Sequence, residues 1–268
     1  TYQDRALGHI YLTYDGDLAA TLDTTGSSSG STVGSNSGTG STSGNTGGST
    51  TGSTGGSTGG STGTTAQFRD TSNDIYVAEI NQAVQAGFIA GFEDNTFRPQ
   101  ASLTREQLVS MVLGALDNLP NVTLNVPTQA AARPYSDVEA TRWSAAKIQF
   151  ARDNNIIKGY QDGSFRPAQA VTRAELVAVL RQAAEYAKTL QGQQAELQGN
   201  RPEILFSDTN GHWANALISQ MSTFCNVATP VNEQGNTFAP DSAAQRNYAA
   251  AATLRMLNCV NTSETATR

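Results

Sequence analysis

Cysteine and histidine are scarce in this chain, which has only two residues of each type among 268. The histidines are His9 and His212, and the cysteines are Cys225 and Cys259. A structural zinc site needs about four such ligands in close spacing, so the usual zinc motifs are excluded. The sequence therefore predicts neither a metal site nor a cofactor.

Long apolar runs and an excess of basic charge are also absent. No run approaches the roughly 20 apolar residues that cross a bilayer, so no membrane span is predicted. The net charge of −6 argues against nucleic-acid binding, which depends on Lys and Arg facing phosphates. Lysine is especially rare, with only Lys147, Lys158 and Lys188. The preference for Arg suits planar recognition of carboxylate or phosphate, although Arg also serves on ordinary helix surfaces.

A low-complexity tract divides the chain. Residues 24–66 consist almost entirely of Gly, Ser and Thr, without charged or aromatic residues, and predict a disordered linker. Ahead of it, residues 1–23 contain the alternating Ile10, Leu12 and Tyr14 that are typical of a short β-strand. One strand is not stable alone in water. We therefore interpret residues 1–23 as the remnant of a larger region or as a strand that pairs with another chain.

The Ser/Thr/Gly tract and a first residue other than Met are typical of a processed exported protein or of a cut piece. In an oxidising compartment, a disulfide between Cys225 and Cys259 is the first expectation. It would contribute roughly 3–4 kcal/mol on the chain-entropy model. Two buried free thiols are the alternative, because Cys is often buried even when unpaired.

Three markers recur in the same order three times in the C-terminal part of the chain. An aromatic-x-Asp motif opens each copy, a Phe-x-Pro motif follows, and an Arg stands six residues after the Pro. The opening aspartates are Asp70, Asp137 and Asp208, and the arginines are Arg105, Arg173 and Arg246. This order predicts three tandem repeats, at residues 67–120, 134–190 and 205–260, here called repeats 1, 2 and 3.

Each repeat has two helical patterns separated by a turn-rich stretch. The first helix has an apolar stripe that includes Ile80, Ile148 or Ile218, and the second begins near the Arg. Neither helix can bury its apolar face alone, so the repeats must pack together in a mainly α fold. Asp94 and Asp162 lie in the turns without a calcium-loop pattern, and we interpret them as turn residues.

The combined pattern resembles the S-layer homology (SLH) module. Repeat 2 carries the motifs most completely, as Tyr135-Ser136-Asp137, Trp143, Gly159-Tyr160-Gln161-Asp162-Gly163, Phe165-Arg166-Pro167 and Thr172-Arg173-Ala174-Glu175. The resemblance implies three modules in one pseudo-threefold helical bundle. It also implies that grooves between modules bind cell-wall polysaccharide, often pyruvylated, and so hold exported proteins on the cell envelope.

Two helix starts have the form of a capping box, in which the side chain of the first residue accepts from the backbone amide of the fourth, and the side chain of the fourth accepts from the amide of the first. The predicted boxes pair Thr104 with Gln107 and Thr172 with Glu175. Each is a structural feature, and the cap contributes about 1 kcal/mol. Repeat 3 has lost the box and also lacks the Gly-Tyr-x-Asp-Gly loop, so its groove is expected to be degenerate.

The arginine at the start of each longer helix needs a different explanation, because a cation in the first helical turn opposes the helix dipole, and repeat 3 keeps this arginine although it has lost the box. We expect Arg105, Arg173 and Arg246 to contact a carboxylate or another anion of a glycan. A salt bridge to a neighbouring repeat is the alternative. If one groove retains full affinity, we expect it to be the one that uses Arg173.

Further residues complete the predicted glycan-binding set. Asp70, Asp137 and Asp208 are either cap or turn formers or groove residues. Trp143 and Trp213 either stack on sugar rings or lie in the core, which is more common for Trp at helical spacing. The remaining members of the set are Gly91 and Gly159, which open the turns.

Three functions are compatible with these features. The leading one is a non-catalytic anchor in the extracellular cell envelope that binds cell-wall polysaccharide or peptidoglycan. The second is a structural subunit of a surface layer or filament, which associates with itself or another envelope protein through residues 1–23. The third is an enzyme, but no nucleophile and base are recognisable, so no catalytic residue is predicted.

Overall fold

A computed structural model of the protein describes residues 67–120 and 122–262. The strand predicted within residues 1–23 and the linker at residues 24–66 lie outside this part. The described residues form six α-helices: α1 (Val77–Gln85), α2 (Arg105–Leu116), α3 (Ala145–Asp153), α4 (Arg173–Leu190), α5 (Asn215–Thr223) and α6 (Arg246–Thr262). One 3₁₀ turn (Val231–Glu233) lies between α5 and α6, and only isolated β-bridges occur in the described ranges. The prediction of a mainly α fold is confirmed.

Each repeat contributes one short helix and one longer helix. The three short helices have 9 residues each, and the longer ones have 12, 18 and 17 residues. Both capping boxes form, so Thr104 and Thr172 determine where α2 and α4 begin. In the box of α4, the Thr172 amide donates to Glu175 Oε2 at 2.9 Å, and the Glu175 amide donates to Thr172 Oγ1 at 3.2 Å.

The longer helices α2, α4 and α6 pack against one another, and each also packs against the short helix of the next repeat. Thus α2 contacts α3, α4 contacts α5, and α6 returns to contact α1. The three repeats therefore form one cyclic bundle, as the resemblance implies.

Three backbone hydrogen bonds close a ring where the repeats meet. The amide of Val171 donates to the carbonyl of Leu103 at 2.9 Å, that of Ala244 donates to Val171 at 2.8 Å, and that of Leu103 donates to Ala244 at 2.9 Å. All three residues are buried. Because each repeat both donates and accepts, the ring is complete only when all three repeats are present.

A pair of aromatic rings anchors each inter-helix loop to the shared core. The Phe of each Phe-x-Pro motif is fully buried and packs against the aromatic residue that opens its own repeat. The ring centroids are 5.7, 5.3 and 5.2 Å apart in the pairs Phe68–Phe97, Tyr135–Phe165 and Phe206–Phe238. Complete burial of one such side chain contributes about 1.5–3 kcal/mol, so these pairs fix the loops firmly.

Cys225 and Cys259 form a disulfide that joins the loop after α5 to the last turns of α6. The side chain of Asn200 donates from Nδ2 to Cys225 Sγ at 3.0 Å and accepts from the Cys225 amide at 3.0 Å. The segment before α5 is therefore held against the disulfide. The alternative of two free thiols is wrong for this structure.

Candidate functional site: the junctions between repeats

Each opening aspartate holds the loop between the two helices of its own repeat. The carboxylate of Asp137 accepts hydrogen bonds from the amides of Phe165 and Arg166, both at 2.7 Å. The second amide in each pair belongs to a residue with left-handed backbone, at φ 56°, 56° and 55° for Arg98, Arg166 and Ala239. Such a conformation is unfavourable for these residues, and the two bonds to the carboxylate stabilise it.

Asp70 and Asp208 make the equivalent bonds. The carboxylate of Asp70 accepts from Phe97 and Arg98, and that of Asp208 accepts from Phe238 and Ala239. The aspartates therefore act as turn-forming residues that bridge 27 to 31 positions of sequence. Direct contact of Asp70, Asp137 or Asp208 with a glycan stays a prediction.

Gly91 and Gly159 are required by close packing. A Cβ atom at Gly91 would lie 2.1 Å from Cε1 of Phe68, and one at Gly159 would lie 2.3 Å from Cε1 of Tyr135. The absence of a side chain allows the opening aromatic ring to lie directly on the loop backbone. A glycan contact at these two glycines likewise stays a prediction.

The three arginines connect each repeat to the next. Arg105 donates from Nε to the carbonyl of Phe165 at 2.8 Å and from Nη2 to the carbonyl of Lys158 at 2.9 Å. Arg173 bonds Phe238 and Thr229 in the same way, and Arg246 bonds Phe97 and Ala90. The side chains are only 2–6% exposed. Their observed role is to bind the loop of the following repeat.

The remaining edge of each guanidinium faces a different partner. Nη1 of Arg105 lies 3.5 Å from Glu175 Oε1, which is the predicted alternative of an inter-repeat salt bridge. The guanidinium carbon of Arg173 lies 3.8 Å from the centre of the Tyr248 ring, a cation–π contact. Nη1 of Arg246 is buried without a hydrogen-bond partner among the described residues. Direct binding of a ligand by these arginines stays a prediction.

Burial and, to a smaller extent, the nearby charge of Arg98 lower the pKa of Arg246 to about 10, and Asp70 opposes the shift. The partners of the other two arginines, Glu175 and Tyr248, both stand at the third position of the longer helix of the next repeat. The equivalent position for Arg246 is Gln107, which is neutral. This explains why Arg246 has no counter-charge.

Trp143 and Trp213 are not core residues. They are 47% and 66% exposed, and the equivalent Ile75 is 52% exposed. All three stand two residues before a short helix, outside its buried stripe. The alternative that placed both Trp side chains in the core is wrong, whereas stacking on a sugar stays a prediction.

We define junction 1–2 as the surface where α2 of repeat 1 meets α3 of repeat 2, with Glu106, Ser110, Arg142, Trp143 and Lys147. Glu106 accepts from Arg142 Nε at 2.8 Å and Nη2 at 2.7 Å, in a bidentate ion pair. The hydroxyl of Ser144 also donates to Glu106 at 2.6 Å. The hydrogen bonds to Glu106 raise the pKa of Arg142.

Lys147 has no carboxylate partner at junction 1–2. Its Nζ donates to Ser110 Oγ at 2.9 Å, and none of the described carboxylates lies within ion-pair distance of it. Burial lowers the pKa of Lys147 to about 8. The contacts of Glu106, Arg142 and Lys147 were not predicted from the sequence. The one feature of the sequence that pointed to these contacts was that Glu106 and Arg142 have opposite charges, and that each stands next to a residue of the repeat pattern.

Junction 3–1, where α6 meets α1, has a different set of charges. Glu233 Oε1 accepts from the hydroxyl of Tyr76 at 2.7 Å and from Arg255 Nη1 at 2.9 Å, and Arg255 Nη2 donates to Glu79 at 3.2 Å. Burial and the bond to Glu233 raise the pKa of Tyr76. Every charged side chain in this network therefore has a partner of opposite charge.

Junction 2–3, where α4 meets α5, is largely neutral. Arg181 donates from Nε to Gln220 Oε1 at 2.7 Å and forms an ion pair with Glu185 of its own helix at 2.7 Å. His212, which precedes Trp213, bonds Asp241 through Nε2 at 3.2 Å. The three junctions thus share a backbone plan and differ in side-chain chemistry.

The described residues include no group of three or more His, Cys, Asp or Glu side chains arranged to hold a metal ion. None of the helices at residues 67–120 and 122–262 is long and apolar enough to cross a membrane.

Comparison with known proteins finds a family match for two of the three repeats. The sequence profile of the S-layer homology domain matches two segments of the chain. They are residues 67–109 and 134–177, which lie in repeats 1 and 2. Each contains the opening aspartate, the loop and the start of the longer helix. Repeat 3 is outside the two matched segments.

Several similar proteins have names that refer to the cell surface or to anchoring. Cell surface glycoprotein 1 of Acetivibrio thermocellus is 29% identical over 178 residues, which are 63% of this chain and 7% of that protein. The cellulosome-anchoring protein of the same organism is 26% identical over 139 residues, 51% of this chain and 28% of that protein. The surface layer protein of Brevibacillus choshinensis is 26% identical over 146 residues, which are 54% of this chain and 11% of that protein. The chain thus spans less than a third of each relative's length. These similarities indicate an extracellular location at the cell envelope.

Proposed function

We propose that this chain anchors an exported protein to the cell wall without a covalent bond. Its ligand is an anionic polysaccharide linked to peptidoglycan, for example a pyruvylated one, bound in grooves at the junctions between repeats. The observation that carries the proposal is the S-layer homology match to repeats 1 and 2, the two repeats that form junction 1–2. The names of a cellulosome-anchoring protein and two surface proteins among the relatives support it.

Exposed aromatic rings beside the junctions support a carbohydrate ligand. Trp143 and Trp213 present about half or more of their surface to solvent. An aromatic face packs well against the apolar face of a sugar ring. We assign Trp143 and Trp213 as stacking residues on this basis.

The arginines and aspartates have an indirect role in the proposed function. Arg105, Arg173 and Arg246 hold the loop of one repeat against the next, and the aspartates hold each loop in its left-handed turn. Both sets therefore shape the walls of the grooves. A further contact between an arginine and the ligand would require the side chain to become more exposed than it is here.

Repeat 3 is proposed to be a diverged module of the same kind. It retains the opening aspartate, the inter-repeat arginine and its share of the backbone ring. Its loop has an insertion that carries Glu233, and its disulfide is a covalent link that the other two repeats lack. The proposed module boundaries are residues 67–120, 134–190 and 205–260.

The proposed function is non-catalytic. An endoglucanase of a Bacillus species is among the relatives, at 31% identity over 114 residues, but these are only 12% of that enzyme. The S-layer homology match accounts for such a short shared region without any shared activity. Enzymatic activity on wall material is therefore not part of the proposal.

The second candidate function is that of a structural subunit of a surface layer. It is favoured by the similarity to the surface layer protein of Brevibacillus choshinensis and to S-layer protein sap of Bacillus anthracis, which is 26% identical over 121 residues. In this case residues 1–23 would pair with a neighbouring chain. Light scattering of the full chain at rising concentration is expected to show assembly that deletion of residues 1–23 abolishes. Assembly that persists after the deletion would contradict this role for the segment.

The anchoring proposal is tested by sedimenting the full chain with sacculi purified from the producing organism. One portion of sacculi keeps its polysaccharide, and the other is chemically stripped of it. Binding to the intact sacculi and its loss after stripping are expected. Equal binding to both preparations, or to neither, would contradict recognition of the polysaccharide.

A further inference from the structure

Resting on the proposed function, we infer that junction 1–2 is the principal binding groove and that Lys147 and Trp143 form its acidic-sugar subsite. The Lys147 ammonium binds a carboxylate of the saccharide, and the Trp143 ring packs against the face of the sugar that carries it. This assignment differs from the expectation that the groove with Arg173 is the strongest.

The position of Lys147 distinguishes the three junctions. The residue four places after the exposed apolar side chain is Lys147 in repeat 2, Glu79 in repeat 1 and Leu217 in repeat 3. Glu79 is paired with Arg255, and Leu217 has no charge. Junction 1–2 is therefore the one junction of the described bundle that offers an uncompensated cation at this position.

The Lys147 ammonium has donor capacity to spare. An ammonium has three N–H donors, and the structure uses one of them for Ser110 Oγ at 2.9 Å. The acid on the facing helix α2 is Glu106, which is already held by Arg142 and Ser144. On α3 itself, Asp153 is paired with Arg152. None of these acids neutralises Lys147, so its ammonium is available to an anion from outside the bundle.

Retaining an unpaired, half-buried ammonium is unfavourable for folding. The depression of its pKa reflects that cost. A bound carboxylate would remove the cost and form a charge-assisted hydrogen bond in a partly desolvated place. Lys147 is thus better suited to binding an anion than to stabilising the free protein.

Trp143 is placed to act together with Lys147. Lys147 is the third residue of α3, and Trp143 stands four positions before it, in the turn that leads into the helix. Ser144 and Arg142, on either side of Trp143, are both bonded to Glu106 of α2. The backbone that carries the exposed ring is therefore fixed against repeat 1, which preorganises the ring for stacking.

The test uses Lys147→Met in the full chain, with Lys188→Met as a matched control. Lys188 lies in the last turn of α4, which begins at Arg173, and it donates to the carbonyl of Glu196. Its replacement by Met therefore removes one positive charge at a different place in the protein. We expect Lys147→Met to bind intact sacculi about tenfold more weakly than the wild type, the usual effect of losing a hydrogen bond to a charged group. Lys188→Met is expected to bind as the wild type does.

Thermal unfolding separates this effect from misfolding. Because Lys147→Met removes a poorly compensated buried charge, its melting temperature is expected to equal or exceed that of the wild type. Weaker binding together with undiminished stability is the result that a purely structural lysine would not give. Trp143→Ala is expected to weaken binding more than Trp213→Ala, the equivalent change at repeat 3.

A second arm identifies the carboxylate. The carboxylates of sacculi are converted to neutral methylamides with carbodiimide and methylamine, and stripped sacculi control for the peptide carboxylates. Binding of the wild type to the modified sacculi should fall to the level of Lys147→Met, whereas binding of Lys147→Met should fall little further.

If Lys147→Met binds intact sacculi as tightly as the wild type, the subsite is wrong although the anchor proposal stands. If the wild type itself does not need the polysaccharide, the anchor proposal fails first.

Discussion

The side chain of Arg246 donates from Nε to the carbonyl of Phe97 at 2.9 Å, across 149 positions of sequence. This bond joins the last repeat to the loop of the first. The backbone of Arg246 strengthens the connection, because its amide donates to the carbonyl of Ala101 at 2.9 Å. Repeat 3 is therefore a part of the fold of repeats 1 and 2, whatever its own affinity for a ligand.

Removal of repeat 3 is expected to abolish cooperative folding of the rest. A chain that ends at residue 204 loses the carbonyl partners of the Arg173 side chain and the helix α6 that packs against both α2 and α4. We expect circular dichroism to show little helix and no sigmoidal thermal transition. A truncated chain with a sharp transition and dispersed amide signals would show that two repeats suffice.

Gln107→Glu is expected to stabilise the bundle. Position 107 is equivalent to position 175, where Glu175 pairs with Arg105. A carboxylate at position 107 is therefore expected to provide the counter-charge that Arg246 lacks, and it keeps the capping box of α2. A gain of about 1 kcal/mol corresponds to a rise of roughly 2–4 °C in melting temperature. Glu175→Gln is the mirror change and is expected to lower the melting temperature. A lower melting temperature for Gln107→Glu would refute the equivalence.

The stability of the wild type relative to Lys147→Met is expected to depend on pH. The pKa of Lys147 is about 8 in the folded protein and near 10.5 when exposed. Below pH 8 the ammonium is charged in both states, and the folded state bears the full cost of burying it. Between pH 8 and 10.5 the folded state has released the proton and the unfolded state has not, so wild-type stability rises relative to the variant.

Urea unfolding at pH 7, 9 and 10 measures this difference. The other charged side chains of the two helices are Arg105 and Glu106 on α2 and Arg152 and Asp153 on α3, and Arg142 lies just before α3. Contributions that are common to the two proteins cancel in the comparison. The Lys188→Met variant is measured over the same pH range for comparison. A Lys147→Met difference that stays constant would mean that Lys147 titrates normally.

Removal of the disulfide is expected to cost stability without changing the fold. The bridge closes a separation of 34 residues, for which the chain-entropy model gives roughly 3–4 kcal/mol. The double change Cys225→Ala and Cys259→Ala should therefore unfold at lower denaturant concentration than the wild type. Dithiothreitol should destabilise the wild type and leave the double variant unaffected, which separates reduction from other effects of the reagent.

The sequence predicts the repeated elements well because their determinants are local. The capping boxes of Thr104 and Thr172 require only residues within one helical turn, and both form. The helical stripes through Ile80, Ile148 and Ile218 are buried as their spacing indicates. Trp143 was harder to place, because it stands next to such a stripe but precedes the first residue of α3.

The partners of side chains at the junctions could not be read from the sequence. The aspartate Asp137 bonds amides 28 and 29 positions away, and Arg105 bonds carbonyls 60 and 53 positions away. These contacts depend on how one repeat is rotated against the next, which the pattern within a repeat does not encode. The contact of Lys147 with Ser110 depends on the same rotation.

The backbone ring of Leu103, Val171 and Ala244 also matters when the protein is pulled. A load applied through the chain ahead of residue 67 reaches repeat 1 first. Repeat 1 cannot detach alone, since Leu103 donates to repeat 3 and accepts from repeat 2, so both bonds must break at once. Bonds loaded in parallel share the force, whereas bonds loaded in series fail one after another. The ring makes three short repeats resist tension as one mechanical unit.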